Sequence, residues 1–128
     1  MVLSLVVSVV GLQAAPGPDS NAPQSMRTWP TSVARPSAEG EVHLRNIRQL
    51  TFGGQNAECY WDTSGTRLIW QSTQPEFPDE QIFTMRADGT QRRLVSTGLG
   101  RCTCGYFLPD GKGVVFSSTH ERDRGAQE

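Results

Sequence analysis

Apolar residues along this chain come in short alternating runs, the period of half-buried strands rather than of helices. The runs fall at residues 42–52, 57–61, 67–72, 81–86, 92–96, 102–107 and 114–118. Turn chemistry separates them. Gly53-Gly54 stops the first run. Asp62-Thr63-Ser64-Gly65 and Leu108-Pro109-Asp110-Gly111 each join two runs, with a glycine where the chain needs positive φ. Ala87-Asp88-Gly89-Thr90 carries the Asp-Gly hairpin signal. Residues 73–80, with Pro75 and Pro78, read as a loop, and residues 97–100 as a connection. The pattern predicts an all-β chain of short antiparallel strands.

One phrase occurs twice. YWDTSGTRLIWQST starts at Tyr60, and YFLPDGKGVVFSST starts 46 residues later at Tyr106. The phrases share Tyr60/Tyr106, Gly65/Gly111, Ser72/Ser118 and Thr73/Thr119, and keep apolar character at Trp61/Phe107, Leu68/Val114, Ile69/Val115 and Trp70/Phe116. A period of about 40–50 residues marks propellers and other arrays. Four short strands per repeat is the make-up of a propeller blade. A full blade is expected over 57–96 and a half blade over 102–118. Residues 42–52 read as a strand of a preceding blade, because Arg48-Gln49-Leu50 echoes Arg92-Arg93-Leu94. The ring would then be completed outside this chain or by several chains. The second blade would expose an unpaired edge, open to self-association. Trp61, Trp70, Phe83, Phe107 and Phe116 sit at strand spacing and are expected to pack between blades.

These residues resemble the Tol-type (TolB-like) WD-like β-propeller repeat family. The resemblance rests on x-Pro-Asp-Gly-Lys between two apolar strands, the second ending in Ser-Ser-Thr, and on QIFTMRADGTQRRL at residues 81–94. It covers residues 42–119. It implies a periplasmic or secreted protein-interaction module of the bacterial cell envelope. Similar repeats also precede the catalytic domain of prolyl-oligopeptidase-like hydrolases, so the alternative is the propeller part of such an enzyme. Asp62-Thr63-Ser64-Gly65 departs from the family's Ser-Pro-Asp-Gly, which leaves Asp110 as the one aspartate at that turn position.

The remainder of the chain adds three expectations. Residues 1–15 are apolar from Val2 to Leu12 apart from two serines, the pattern of a secretory signal's central region, with small residues at Ala14 and Ala15. A Val-rich run also suits a sheet strand. Residues 16–40 are rich in Pro, Ser, Ala and Gly and read as a disordered linker in which Trp29 is isolated. Residues 41–120 form the foldable part and 121–128 a polar tail.

Chemistry is sparse. Net charge is −1 with scattered Lys and Arg, which argues against a nucleic-acid footprint. The apolar start is too short for a spanning helix, so no membrane span is expected in the mature chain. There is no Gly-x-Ser-x-Gly elbow, no His-Glu-x-x-His and no phosphate-binding loop, so no catalytic, cofactor-binding or metal-ligating residue is assigned. His43 and His120 read as loop histidines, and Asp79-Glu80 as a solvated acidic pair. Cys59, Cys102 and Cys104 read as small buried hydrophobes, with Cys102 and Cys104 on the same face of a strand. The expected partner is a cell-envelope protein held by loops 73–80 and 97–100, with Phe77 exposed in the first of them.

Overall fold

The structure is a computed structural model that describes the backbone of residues 6–11 and the whole of residues 22–122. Apart from one short helix, α1 (Gln24–Arg27), the described elements are strands. They are β1 (Val6–Gly11), β2 (Val33–Ala34), β3 (Arg48–Gln49), β4 (Asn56–Trp61), β5 (Arg67–Gln74), β6 (Phe77–Arg86), β7 (Arg93–Leu94), β8 (Cys102–Phe107) and β9 (Gly113–Ser118). They form three antiparallel sheets, ordered β4-β5-β6-β7, β1-β9-β8 and β2-β3. The all-β class read from the periodicity holds, and none of these sheets closes on itself.

The four-stranded sheet is the middle layer. Its central strand β5 is apolar on both sides, so both faces need cover. Leu68 and Trp70 face one way with Phe83 and Met85 of β6, and Ala22 and Met26 pack over them. Ile69 and Ile82 face the other way, against Cys102, Val114 and Phe116 of the neighbouring sheet. Gly105 makes that second contact close. A Cβ at Gly105 would fall 3.0 Å from Ile82 Cγ2 and 3.1 Å from Ile69 Cδ1.

The sequence repeat is also a structural repeat. β4 pairs with β5 through Asn56↔Ser72, Ala57↔Gln71, Tyr60↔Ile69 and Trp61↔Leu68. β8 pairs with β9 through Cys102↔Ser118, Thr103↔Ser117, Tyr106↔Val115 and Phe107↔Val114, each 46 residues on. Both ladders break at the same place, where Glu58 (φ 48°) and Cys104 (φ 54°) turn left-handed and form a bulge. The turns match as well. Gly65 N–H donates to Asp62 O at 3.0 Å, and Gly111 N–H to Leu108 O at 2.8 Å. Both glycines have positive φ, which other residues adopt only with strain.

Several expectations change. Of residues 42–52, only Arg48–Gln49 is a strand, because its sole partner is the two-residue β2; Val42 and Leu44 stay exposed. Residues 73–80 are not an open loop. β5 runs to Gln74 and β6 starts at Phe77, leaving a tight turn. Pro78 is accommodated because regular pairing stops at Ser72↔Gln81, so no ladder bond is asked of its nitrogen. The part of the linker from Ala22 onward carries packed residues: Ala22 and Met26 are buried and Trp29 lies against the same cluster. Within the signal-like segment, β1 pairs with β9 from Val6↔Ser118 to Gly11↔Gly113, so the edge expected to be unpaired is covered. The small residues at 14 and 15 and residues 123–128 of the tail lie outside the described residues.

Candidate functional site

The two loops singled out in the sequence come together at one end of the sheets. Gln81 joins them. Its Nε2 donates to Gly100 O at 2.6 Å, while its Oε1 accepts from Ser96 Oγ at 2.7 Å and Gly98 N–H at 3.1 Å. Phe77, expected to be exposed, is half-buried against the Leu68–Trp70 cluster. Gly98 (φ 78°) lies over its ring, with room for a Cβ only 3.0 Å from Phe77 Cε1. Asp79 and Glu80, expected to be solvated, both pair with Arg101, at 3.3 and 3.1 Å. Asp79 is 8% exposed, because the strand extends past Pro78 and carries it inward. At the hairpin tip, Glu76 accepts from Ser25 N–H at 2.8 Å and from Ser25 Oγ at 2.7 Å. Partial burial opposes ionisation of Glu76, but these bonds outweigh it and hold the carboxyl below its ordinary value. Leu99, 41% exposed, is the apolar tip of this platform.

A second feature is a groove of about 400 Å³ on the other face of the middle sheet. Leu68, Trp70 and Met85 floor it, β4 forms one wall and Arg48, Leu50 and Thr51 the other. Trp61 stands beside Leu68 on β4 and is 59% exposed. Ala22, Met26, Trp29 and Leu50 cover part of this face, but no strand among the described residues lies over β4 as β8 lies over the opposite face.

The cysteines separate by environment. Cys102 is buried, with its sulfur 3.1 Å from Ser118 Oγ, and burial pushes its thiol above the ordinary value. Cys59 and Cys104 are exposed, which corrects the reading of all three as buried. Cys104 also leaves the face of Cys102, because the bulge at its own φ of 54° breaks the two-residue alternation. All three are free thiols.

His120, expected in an exposed loop, is half-buried, with Nδ1 2.7 Å from Ser118 Oγ. The string Cys102–Ser118–His120 has the residue types of a nucleophile and its base. The first repeat builds the same string from Asn56, Ser72 and Gln74, with Ser72 Oγ bonded to Asn56 Oδ1 at 3.0 Å and to Gln74 Nε2 at 2.8 Å. Its recurrence 46 residues apart with different chemistry makes it a packing element of the repeat. Among the described residues no group of three or more His, Cys, Asp or Glu is placed to hold a metal ion, and no helix is long and apolar enough to cross a membrane. No protein-family model, curated protein or solved structure matches this chain. The class its own geometry defines is an all-β chain of antiparallel sheets, two of which carry the same 46-residue pairing pattern.

Proposed function

We propose that this chain is part of a TolB-like β-propeller and works as a non-catalytic protein-interaction module, exported to the bacterial periplasm or beyond. The observation that carries this reading is the platform fastened by Gln81, in which two loops are held as one surface with Leu99 at its tip. Loops held on a rigid sheet are where such scaffolds recruit partners. Recognition patches centre on exposed apolar contacts of this kind. The equal bulges and turns of β4–β5 and β8–β9 support the propeller part, since blades are copies of one another. The signal-like run at residues 1–15 supports export.

The test is a photo-crosslinking amino acid in the full chain, at Leu99 or at Lys112 on the turn at the opposite end of the sheets. Expressed in bacterial cells, the Leu99 position is expected to give a discrete adduct with an envelope protein, and Lys112 none. Equal adducts at both positions, or none at Leu99, would count against the platform.

A further inference from the structure

The first strands of the two repeats, β4 and β8, touch through matched residues at two levels. Tyr60 stacks on Tyr106 with ring centroids 4.5 Å apart. At the bulges, the Cys104 thiol points to Glu58 Oε1 at 4.0 Å. Hydrogen bonding to Tyr106 acts first on the Tyr60 phenol, and the charge of Glu58 acts on it in the same direction, so the two levels form one cluster. The cluster is open. Glu58 and Cys104 are exposed, Tyr60 is half-buried and Tyr106 is 45% exposed. The stack uses one face of the Tyr106 ring and leaves the other for a ligand.

Glu58 differs from the other carboxylates carried on strands. Asp79 and Glu80 pair with Arg101. Glu58 has no ion pair among the described residues, and its contact is the Cys104 thiol. Arg48 lines the groove beside Glu58, but its Nε donates to Ser32 Oγ at 3.0 Å. The bulge does not call for a carboxylate, since the second repeat builds it with Cys104. The stack does not call for one either, because aromatic faces are themselves negative.

The chain shows elsewhere what such parts hold. The Arg67 guanidinium bonds to Asp62 at 2.9 Å and lies 4.9 Å from the centroid of the Phe107 ring. There the carboxylate belongs to the first repeat, the ring belongs to the second, and a guanidinium joins them. In the open cluster Glu58 belongs to the first repeat, and Tyr106, beside Phe107 in sequence, belongs to the second. A guanidinium suits both groups, because its planar fork pairs with a carboxylate while its face stacks on an aromatic ring. An ammonium would meet the carboxylate as a point charge and would lose the planar stack.

We infer that this cluster is a binding site for an arginine side chain of a partner protein. Glu58 accepts the guanidinium N–H groups, and the free face of Tyr106 covers its plane. Tyr60 backs the Tyr106 ring and acts as a positioning residue. The cluster offers groups to the guanidinium alone, so an arginine within a peptide chain fits it. Free arginine would bring an α-carboxylate towards Glu58, and like charges repel.

The partner rests on the interaction-module reading above, but the arginine site does not rest on the Leu99 platform. A failed Leu99 crosslink leaves the expected arginine binding unchanged, and failure here leaves the Leu99 adduct expected. The test is NMR on the purified full chain, titrated with N-acetyl-arginine N-methylamide, with the citrulline analogue as the neutral isostere. The arginine probe is expected to shift the ring signals of Tyr60 and Tyr106 in a saturable way, and the citrulline probe to leave them in place. Free arginine is expected to bind more weakly than the capped probe. Glu58→Gln is expected to weaken capped-arginine binding by about three- to fivefold, and Tyr106→Leu by about the same factor. Tyr106→Phe, which keeps the ring, is expected to retain more of the affinity than Tyr106→Leu. Glu39→Gln removes an exposed carboxylate from the loop between β2 and β3 and is expected to change nothing. Equal binding of the citrulline probe overturns the inference, as does wild-type affinity in Glu58→Gln or an equal loss in Glu39→Gln. Tighter binding of free arginine overturns the partner-protein source. Should Tyr106→Leu fail to fold, Glu58→Gln decides, because it changes an exposed side chain only.

Discussion

Tyr60 and Tyr106 stack with their ring centroids 4.5 Å apart and their planes inclined by 26°. They are the same position of two successive repeats, so the contact reports directly how one sheet sits on the next. Hydrogen bonding to Tyr106, with desolvation adding to it, pushes the Tyr60 phenol up to about 12.

The first prediction follows from that phenol. An unfolded tyrosine titrates near about 10. With the folded value raised, the neutral form is the one the fold favours. The contribution is present in full below about pH 10 and is lost as pH rises towards about 12. Tyr106→Phe removes the bonding partner. A spectrophotometric titration is expected to show the Tyr60 transition return towards the ordinary range, and the alkaline loss of stability should shrink. An unchanged Tyr60 transition would mean the pair is not in contact in solution.

Asp62 gives the second prediction. Burial opposes its charge, yet bonds from Arg67 and Ser64 and from the backbone of Thr66 and Arg67 outweigh that and hold it well below the usual carboxylate range. Arg67 also reaches Gly111 O at 2.8 Å, so this turn is tied to the next repeat. Asp62→Ala is expected to lower stability by about 2–3 kcal/mol. With a depressed folded pKa, the contribution is present above about pH 4 and is lost as pH falls through the folded value. Urea melts at neutral pH and in acid check this, since the difference between wild type and variant should narrow in acid.

The third prediction concerns close approach. Gly105→Val places a branched side chain where even a Cβ lies 3.0 Å from Ile82. The sheets must separate or rotamers must shift, at a cost of about 1–3 kcal/mol. A urea midpoint equal to that of the wild type would show that β8 does not lie on Ile69 and Ile82.

The thiols give a fourth. In dilute native protein, Cys59 and Cys104 are expected to react promptly with an alkylating agent, while Cys102 reacts only on unfolding. Mass spectrometry of the labelled peptides decides it. Prompt labelling of Cys102 would contradict its place beneath Ser118.

Much of the architecture was legible because it is carried by turns and by the repeat. Gly65 and Gly111 announce their turns, and the 46-residue spacing announces a structural copy. The bulges at Glu58 and Cys104 were not legible, since neither residue type signals a left-handed backbone. Reading Cys102 and Cys104 on one face failed for that reason alone. Pro75 and Pro78 pointed to a loop, but a strand tolerates proline where its ladder is already interrupted. The strand expected over 42–52 shrank to Arg48–Gln49 because pattern supplies a face but not a partner strand. Met26 and Ala22 were missed because a few apolar residues in a polar segment show no period, yet they cap an exposed face. Of the platform, the loops were visible as loops. Gln81, which fastens them, carries no sequence signal because its role depends on three atoms distant in sequence.

The central claim is that two consecutive repeats stack as sheets, with Gly105 against Ile69 and Ile82. Nuclear Overhauser contacts between the Gly105 α-protons and the methyl groups of these isoleucines test it most directly. Strong contacts to both are predicted. Their absence in a folded sample whose β4–β5 and β8–β9 ladders are intact would contradict the stacking, and with it the propeller reading.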